Sequence, residues 1–197
     1  MIYGRKVEYK NPLFGQAHIL LNDEMKYPIG EVRYFQDDKG FYLKNTLNEF
    51  SNTEFLEREV SGRVSLFTKW SFSGGYYNVG TGGFVGGGAQ KKQFYTKDGF
   101  TNIKKYKLDN LQIDLGDKVS SMNYLNQARE AQTVKAALMV TGLVLLFTGP
   151  IIIASSKNVS TGFPVMGVGA VCLLGSWIPH FIQSDKTKKA IIDYNKQ

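Results

Sequence analysis

The chain has 197 residues, a formal net charge of +7 and a sequence pI near 9.3. Residues 1–130 hold 18 Lys+Arg against 15 Asp+Glu, an excess too small to organise a nucleic-acid surface. The lone cysteine, Cys172, excludes an intrachain disulfide.

The opening residues, MIYGRKVEYK, run straight into polar sequence, so no secretion signal is expected here. From Val7 to Lys107 short β-rich runs alternate with turn signals. HILLND (18–23) ends in a turn. EVRYFQ (31–36) and FYLKN (41–45) form a hairpin through Asp37-Asp38-Lys39-Gly40, with Gly40 expected to supply a positive φ. LEREV (56–60) and RVSLFTKW (63–70) flank Ser61-Gly62, and QFYTK (93–97) and FTNIKKY (100–106) flank Asp98-Gly99, a strong tight-hairpin signal. In RVSLFTKW, the alternation of Val64, Leu66, Thr68 and Trp70 with Arg63, Ser65, Phe67 and Lys69 predicts a strand with one buried face. Close turns favour antiparallel neighbours, so residues 1–107 read as an antiparallel β-domain of six to eight strands.

Within it, residues 73–90 (SGGYYNVGTGGFVGGGAQ) interleave glycine with Tyr76, Tyr77 and Phe84. Glycine weakens strands through backbone entropy and missing packing, so a long flexible loop joining Trp70 to Phe94 is expected. The spacing of Gly80, Gly82, Gly83 and Gly86 misses a dinucleotide fingerprint by one residue, and there is no Gly-Lys-Ser/Thr. Its aromatic residues are therefore assigned to contact with a partner or a membrane surface.

Residues 108–135 form a connecting segment and a juxtamembrane helix. LDNLQIDL is too short to assign, Asp117 or Ser120 can cap the helix, and Val119, Met122, Leu125 and Ala128 give its apolar stripe. No break precedes Ala136, so the helix is expected to run on. Two stretches without a formal charge follow, Ala136 to Ser156 and Phe163 to Gln183. Each matches the roughly 20 residues that cross a hydrocarbon core, so 136–183 reads as a two-helix transmembrane hairpin. Gly142, Gly149, Gly167, Gly169 and Gly175 offer surfaces for close helix packing, and Pro150 and Pro179 are expected to bend or end helices. Residues 184–197 read as a short, separate amphipathic helix capped by Ser184 or Asp185. Ala190, Ile191 and Tyr194 form its apolar side, and Lys186, Lys188 and Lys189 point to lipid headgroups. The fold class is thus α+β.

Two spans put both ends on one side. Arg129, Lys135, Lys186, Lys188 and Lys189 flank the spans against Lys157 in the connection, so the positive-inside rule puts both ends in the cytoplasm. His18 and His180 lack the converging ligands of a metal site, Asp109, Asp114 and Asp117 lack calcium-loop spacing, and no Ser-His-Asp or Cys-His pairing is legible. No cofactor, metal, catalysis or nucleic acid is expected; lipid and a protein partner, or a second copy, are.

The LND…VRYFQDDKGFYLKN opening, the YTKDGF segment and the two spans followed by KKAIIDYN resemble a group of small two-span membrane proteins of Bacteroidota. The resemblance covers most of the chain and carries no activity, cofactor or catalytic residue. Such proteins often begin with a secretion signal, which implies an extracytoplasmic β-domain if a signal sequence is missing here. The expected role is a membrane-anchored structural or interaction subunit of an envelope assembly. The alternative is a lipid- or small-ligand-binding sensor coupled to the spans.

Overall fold

The computed structural model describes residues 2, 5–12, 15–47, 54–74, 76–78, 83–85, 87–156 and 159–196, without the side chains of 72, 73, 76–78, 83–85 and 156. The chain divides into two compact units, Met1–Tyr106 and Lys107–Gln197.

The first unit is built from antiparallel meanders. Strands β1 (Val7–Lys10), β2 (His18–Leu21) and β3 (Met25–Pro28) pair in order, and the tight β2–β3 turn holds Asn22 and Asp23 at φ of 54° and 64°. Short polar side chains tolerate this left-handed region best after glycine. A larger sheet contains β4 (Tyr34–Gln36), β5 (Phe41–Lys44), β6 (Phe55–Val60), β7 (Val64–Ser73), β10 (Gly88–Lys97) and β11 (Lys104–Lys105). Between β7 and β10 lie β8 (Tyr76–Asn78) and β9 (Gly83–Val85), paired with each other.

One face of the large sheet buries Phe41, Leu43, Leu56, Phe67 and Phe94, joined by Ile103. On the other face Phe35, stacked on Tyr42 at 4.8 Å, meets Phe55 edge-on at 4.9 Å, and Tyr9 of β1 packs over both. Covering both faces corrects the expectation for β7: Val64, Ser65, Leu66, Phe67 and Thr68 are all buried, whereas Trp70 is 55% exposed. Period-two alternation identifies a half-buried strand, and a central strand between two covered faces loses that signature.

Two turns also differ from expectation. Gly40 has no positive φ; the Asp37 carboxylate accepts the backbone N–H groups of Lys39 and Gly40 at 2.9 Å each and shapes the turn itself. Asp98 and Gly99 do adopt φ of 54° and 125°, but β10 and β11 pair only at Phe94↔Lys105 and Tyr95↔Lys104. Asp98 is drawn towards the β6–β7 turn, its N–H donating to the Arg63 carbonyl and its carboxylate accepting from Arg63 Nε at 2.7 Å.

The Gly-rich segment is the largest correction. Strands β7 and β10 stay paired from Val64↔Lys97 to Ser73↔Gly88, and β8–β9 resumes at Tyr76↔Val85, three residues further on each arm. The described residues therefore keep one register along the two arms of a long hairpin, in place of the expected loop, while residues 75, 79–82 and 86 lie outside the described residues. Cross-strand backbone bonds outweigh glycine's poor strand propensity here.

The second unit is helical: α1 (Leu108–Asp114), α2 (Val119–Ser156), α3 (Val159–Gly175) and α4 (Trp177–Tyr194). As expected, α2 runs unbroken through Ala136, and Pro150 does not end it. The α2–α3 connection is shorter than expected, since Val159–Gly162 are already helical. The tail is no separate helix. The chain breaks instead at Ser176, because Pro179 has no N–H for the carbonyl of Gly175 one turn earlier. From Trp177 the helix continues past Ser184 and Asp185, which therefore cap nothing.

Candidate functional site

The apolar parts of the helices are the first candidate surface. Two helices, α2 and the α3–α4 pair, are long and apolar enough to cross a membrane, and only 11% and 17% of their most apolar windows are buried. Phe147, Ile151, Phe163, Val171, Leu174, Ile178 and Phe181 are all exposed. A soluble protein's core helix would bury such residues.

The helices pair through glycine. A Cβ on Gly142 would lie 2.7 Å from Leu173 Cγ and 2.9 Å from the Gly169 carbonyl oxygen; one on Gly149 would collide with Met166 and sit 2.7 Å from the Gly162 carbonyl oxygen. Gly142 thus meets Gly169 and Gly149 meets Gly162, seven residues apart on each helix. A Cβ at Gly167 or Gly175 would meet open space, so these two take no part in this pairing. The seven-residue repeat explains why: from Gly162 it reaches Gly169 and passes both of them by. Sequence reading missed Gly162, assigned to the connection, although its spacing from Gly169 mirrors that of Gly142 and Gly149.

Polar groups gather where the apolar stretches end. Lys135 Nζ lies 3.4 Å from His180 Nδ1. Beyond it, Lys186 sits over the Tyr124 ring at 5.8 Å, Lys189 pairs with Asp185 at 2.8 Å, and Lys188 is exposed. The apolar side of this segment, Ala190, Ile191 and Tyr194, is fully buried in the helical unit and does not face a bilayer, a further correction. Asp193 fastens it: Ser120 and Ser121 donate to its carboxylate at 2.6 and 2.9 Å, and Lys118 Nζ lies 3.6 Å away. The hydroxyl of Ser120, aided by that of Ser121, holds this carboxyl below its ordinary range. Tyr194 donates to Asp117 at 2.7 Å. Ser120, one residue inside α2, therefore ties two helices together and does not occupy the cap position. Val119, expected in the apolar stripe, is exposed, whereas Leu125, Ala128 and Ala131 are buried.

The second candidate surface is the neck of the long hairpin. Past Thr68 and Gln93 its arms pair only with each other among the described residues. Lys69 stands opposite Lys92 and Trp70 opposite Lys91, whose ammonium lies 5.8 Å from the Trp70 ring. Glu54 pairs with Lys69 and Glu59 with Lys91; Lys92 has no acidic partner among the described residues. Further out, the side chains of Tyr76, Tyr77 and Phe84 lie outside the described residues.

A broad groove of about 1810 Å³ also runs along the first unit, lined by Tyr9, Phe35, Phe41, Tyr42, Phe55 and Arg58 among others. Phe41 and Tyr42 are adjacent in β5 and point to opposite faces, so the lining draws on both faces of the sheet. Burial, reinforced by Asp37, Glu57 and Asp38, raises the Tyr42 phenol above its ordinary value, which keeps it neutral. No group of three or more His, Cys, Asp or Glu residues suited to a metal occurs among the described residues. Comparison with family models, curated proteins and solved structures returned no match.

Proposed function

We propose that the chain is a two-span membrane protein, akin to the two-span group of Bacteroidota that it resembles, and that it serves as a non-enzymatic structural or interaction subunit of an envelope assembly. The observation that carries the reading is the exposure of the apolar helix windows, 11% and 17% buried, on helices already paired through Gly142–Gly169 and Gly149–Gly162. An apolar band that stays exposed after its own helices have paired needs a lipid or protein cover. The β-unit supplies the contact surface through its long hairpin, with Tyr76, Tyr77 and Phe84 at the outer end. Lysine asymmetry favours cytoplasmic placement of both ends. In a Cys172→Ala background, a single cysteine at exposed Lys39 should resist an impermeant thiol reagent until the membrane is opened; labelling of intact cells would place the β-unit outside. Deleting residues 74–88 should abolish co-purification of the partner subunit, and unchanged co-purification would remove the hairpin from the interaction.

The aromatic groove supports a second reading, a lipid or small-ligand sensor coupled to the spans. It ranks below the first because its walls lie on opposite faces of the sheet and do not converge on one ligand.

A further inference from the structure

We propose that the neck of the long hairpin is an interfacial lipid contact, with Trp70, Lys91 and Lys92 seated among the headgroups of an anionic bilayer and the outer end left to the protein partner. The inference rests on the membrane reading above and names the surface that the hairpin meets. Three observations converge on it.

The first is charge. Residues 70–90 contain no Asp, Glu, Lys or Arg, while Lys69, Lys91 and Lys92 gather at the level where this stretch begins. Lys69 and Lys92 are direct cross-strand neighbours, an arrangement that is unfavourable without a counter-charge. Glu54 and Glu59 answer two of the three lysines, and Lys92 remains available to an external anion among the described residues.

The second is the aromatic residue at that level. Trp70 is 55% exposed at the neck, with the Lys91 ammonium 5.8 Å from its ring. Tryptophan beside lysine, each with an apolar body and a polar end, is the combination that settles at a membrane–water boundary.

The third is the backbone. Gly88–Gln90 are all exposed, and β8 and β9 pair only with each other among the described residues. An edge without charge or proline over such a length lacks the usual protection against sticking to other surfaces. Hydrocarbon would strand the outer N–H and C=O groups, so one ribbon cannot cross a bilayer, whereas the headgroup zone supplies water and phosphate to bond them. The chemistry therefore selects the interface over the core.

The two tryptophans of the chain, Trp70 and Trp177, make the test direct. Full-length Trp177→Phe protein, with Trp70 as its only tryptophan, is reconstituted into nanodiscs of mixed phosphatidylcholine and phosphatidylglycerol. Half of the preparations carry lipids brominated near the headgroup end of their acyl chains. The expected result is a blue-shifted Trp70 emission that is lost in brominated discs, with less quenching when phosphatidylglycerol is omitted or Lys91 and Lys92 are both changed to Glu. Emission at the solvent wavelength and unaffected by bromine would overturn the proposal. A blue shift without quenching would also overturn it, because a protein surface would then cover Trp70. The Trp70→Phe protein, reporting Trp177 in the same discs, separates the two claims. Quenched Trp177 with unquenched Trp70 sinks only the lipid contact at the neck, and unquenched Trp177 sinks the membrane reading beneath it.

Discussion

At Gly149 a single hydrogen in place of a side chain sets the distance between two helices. A larger residue would collide with Met166 and press on the Gly162 carbonyl, so Gly149→Leu should destabilise the helical unit by about 1–3 kcal/mol, in the manner of an overpacked core. Thermal unfolding in detergent measures this, with Gly167→Leu, which meets open space, as the control expected to unfold like the parent. A different residue-scale effect belongs to Thr96, whose hydroxyl is buried without a hydrogen-bond partner among the described residues. The shape-preserving change Thr96→Val removes that unmet group and should stabilise the β-unit by about 1 kcal/mol, read from chemical denaturation. Asp193 confers acid sensitivity. Its folded-state carboxyl is held below the ordinary value, first by the Ser120 hydroxyl, so its contribution is fully present above the unfolded pKa and is lost as pH falls through the folded one. Asp193→Asn should flatten the acid limb of helical stability while lowering stability at neutral pH. An unchanged acid limb would remove Asp193 from the account.

At the scale of elements, the two long apolar helices were legible because length and absence of charge are local properties. The unbroken run of α2 was equally plain, since nothing between Val119 and Ala136 interrupts it. The break at Ser176 followed from Pro179, but the fate of Ala190, Ile191 and Tyr194 did not. An amphipathic stripe reads the same whether it faces lipid or another helix, and only the three-dimensional placement of Leu125, Ala128 and Ser121 decides between them. The turns divide similarly. Asp37-Asp38-Lys39-Gly40 closes a hairpin as expected, whereas the Asp98-Gly99 pair is diverted by a distant residue, Arg63. The Gly-rich stretch misled because propensity is a property of single residues and a ladder is a property of pairs. Removing residues 74–88 should leave the β-unit folded, because its core residues Val64–Thr68 and Phe94–Thr96 all lie nearer the base of the hairpin. Loss of the β-sheet circular dichroism signal in that variant would mean that the outer ribbon is needed for folding.

At the scale of the whole molecule, composition separates a soluble-type β-unit from a helical unit with an apolar band, and the structure divides at Lys107. Each unit carries its own core: Phe41, Leu43, Leu56 and Phe67 in one, Leu111, Leu115, Leu125 and Ile191 in the other. What the chain does had no comparable signature. Its candidate surfaces are a band of side chains and an extended ribbon, and neither is written as a short motif. The central claim is that the exposed apolar band lies in a bilayer. Alkaline carbonate extraction of membranes from cells expressing the full chain tests it most directly. The protein should stay in the pelleted membrane under conditions that strip peripheral proteins. Release of the chain into the soluble fraction, folded and without lipid, would contradict it.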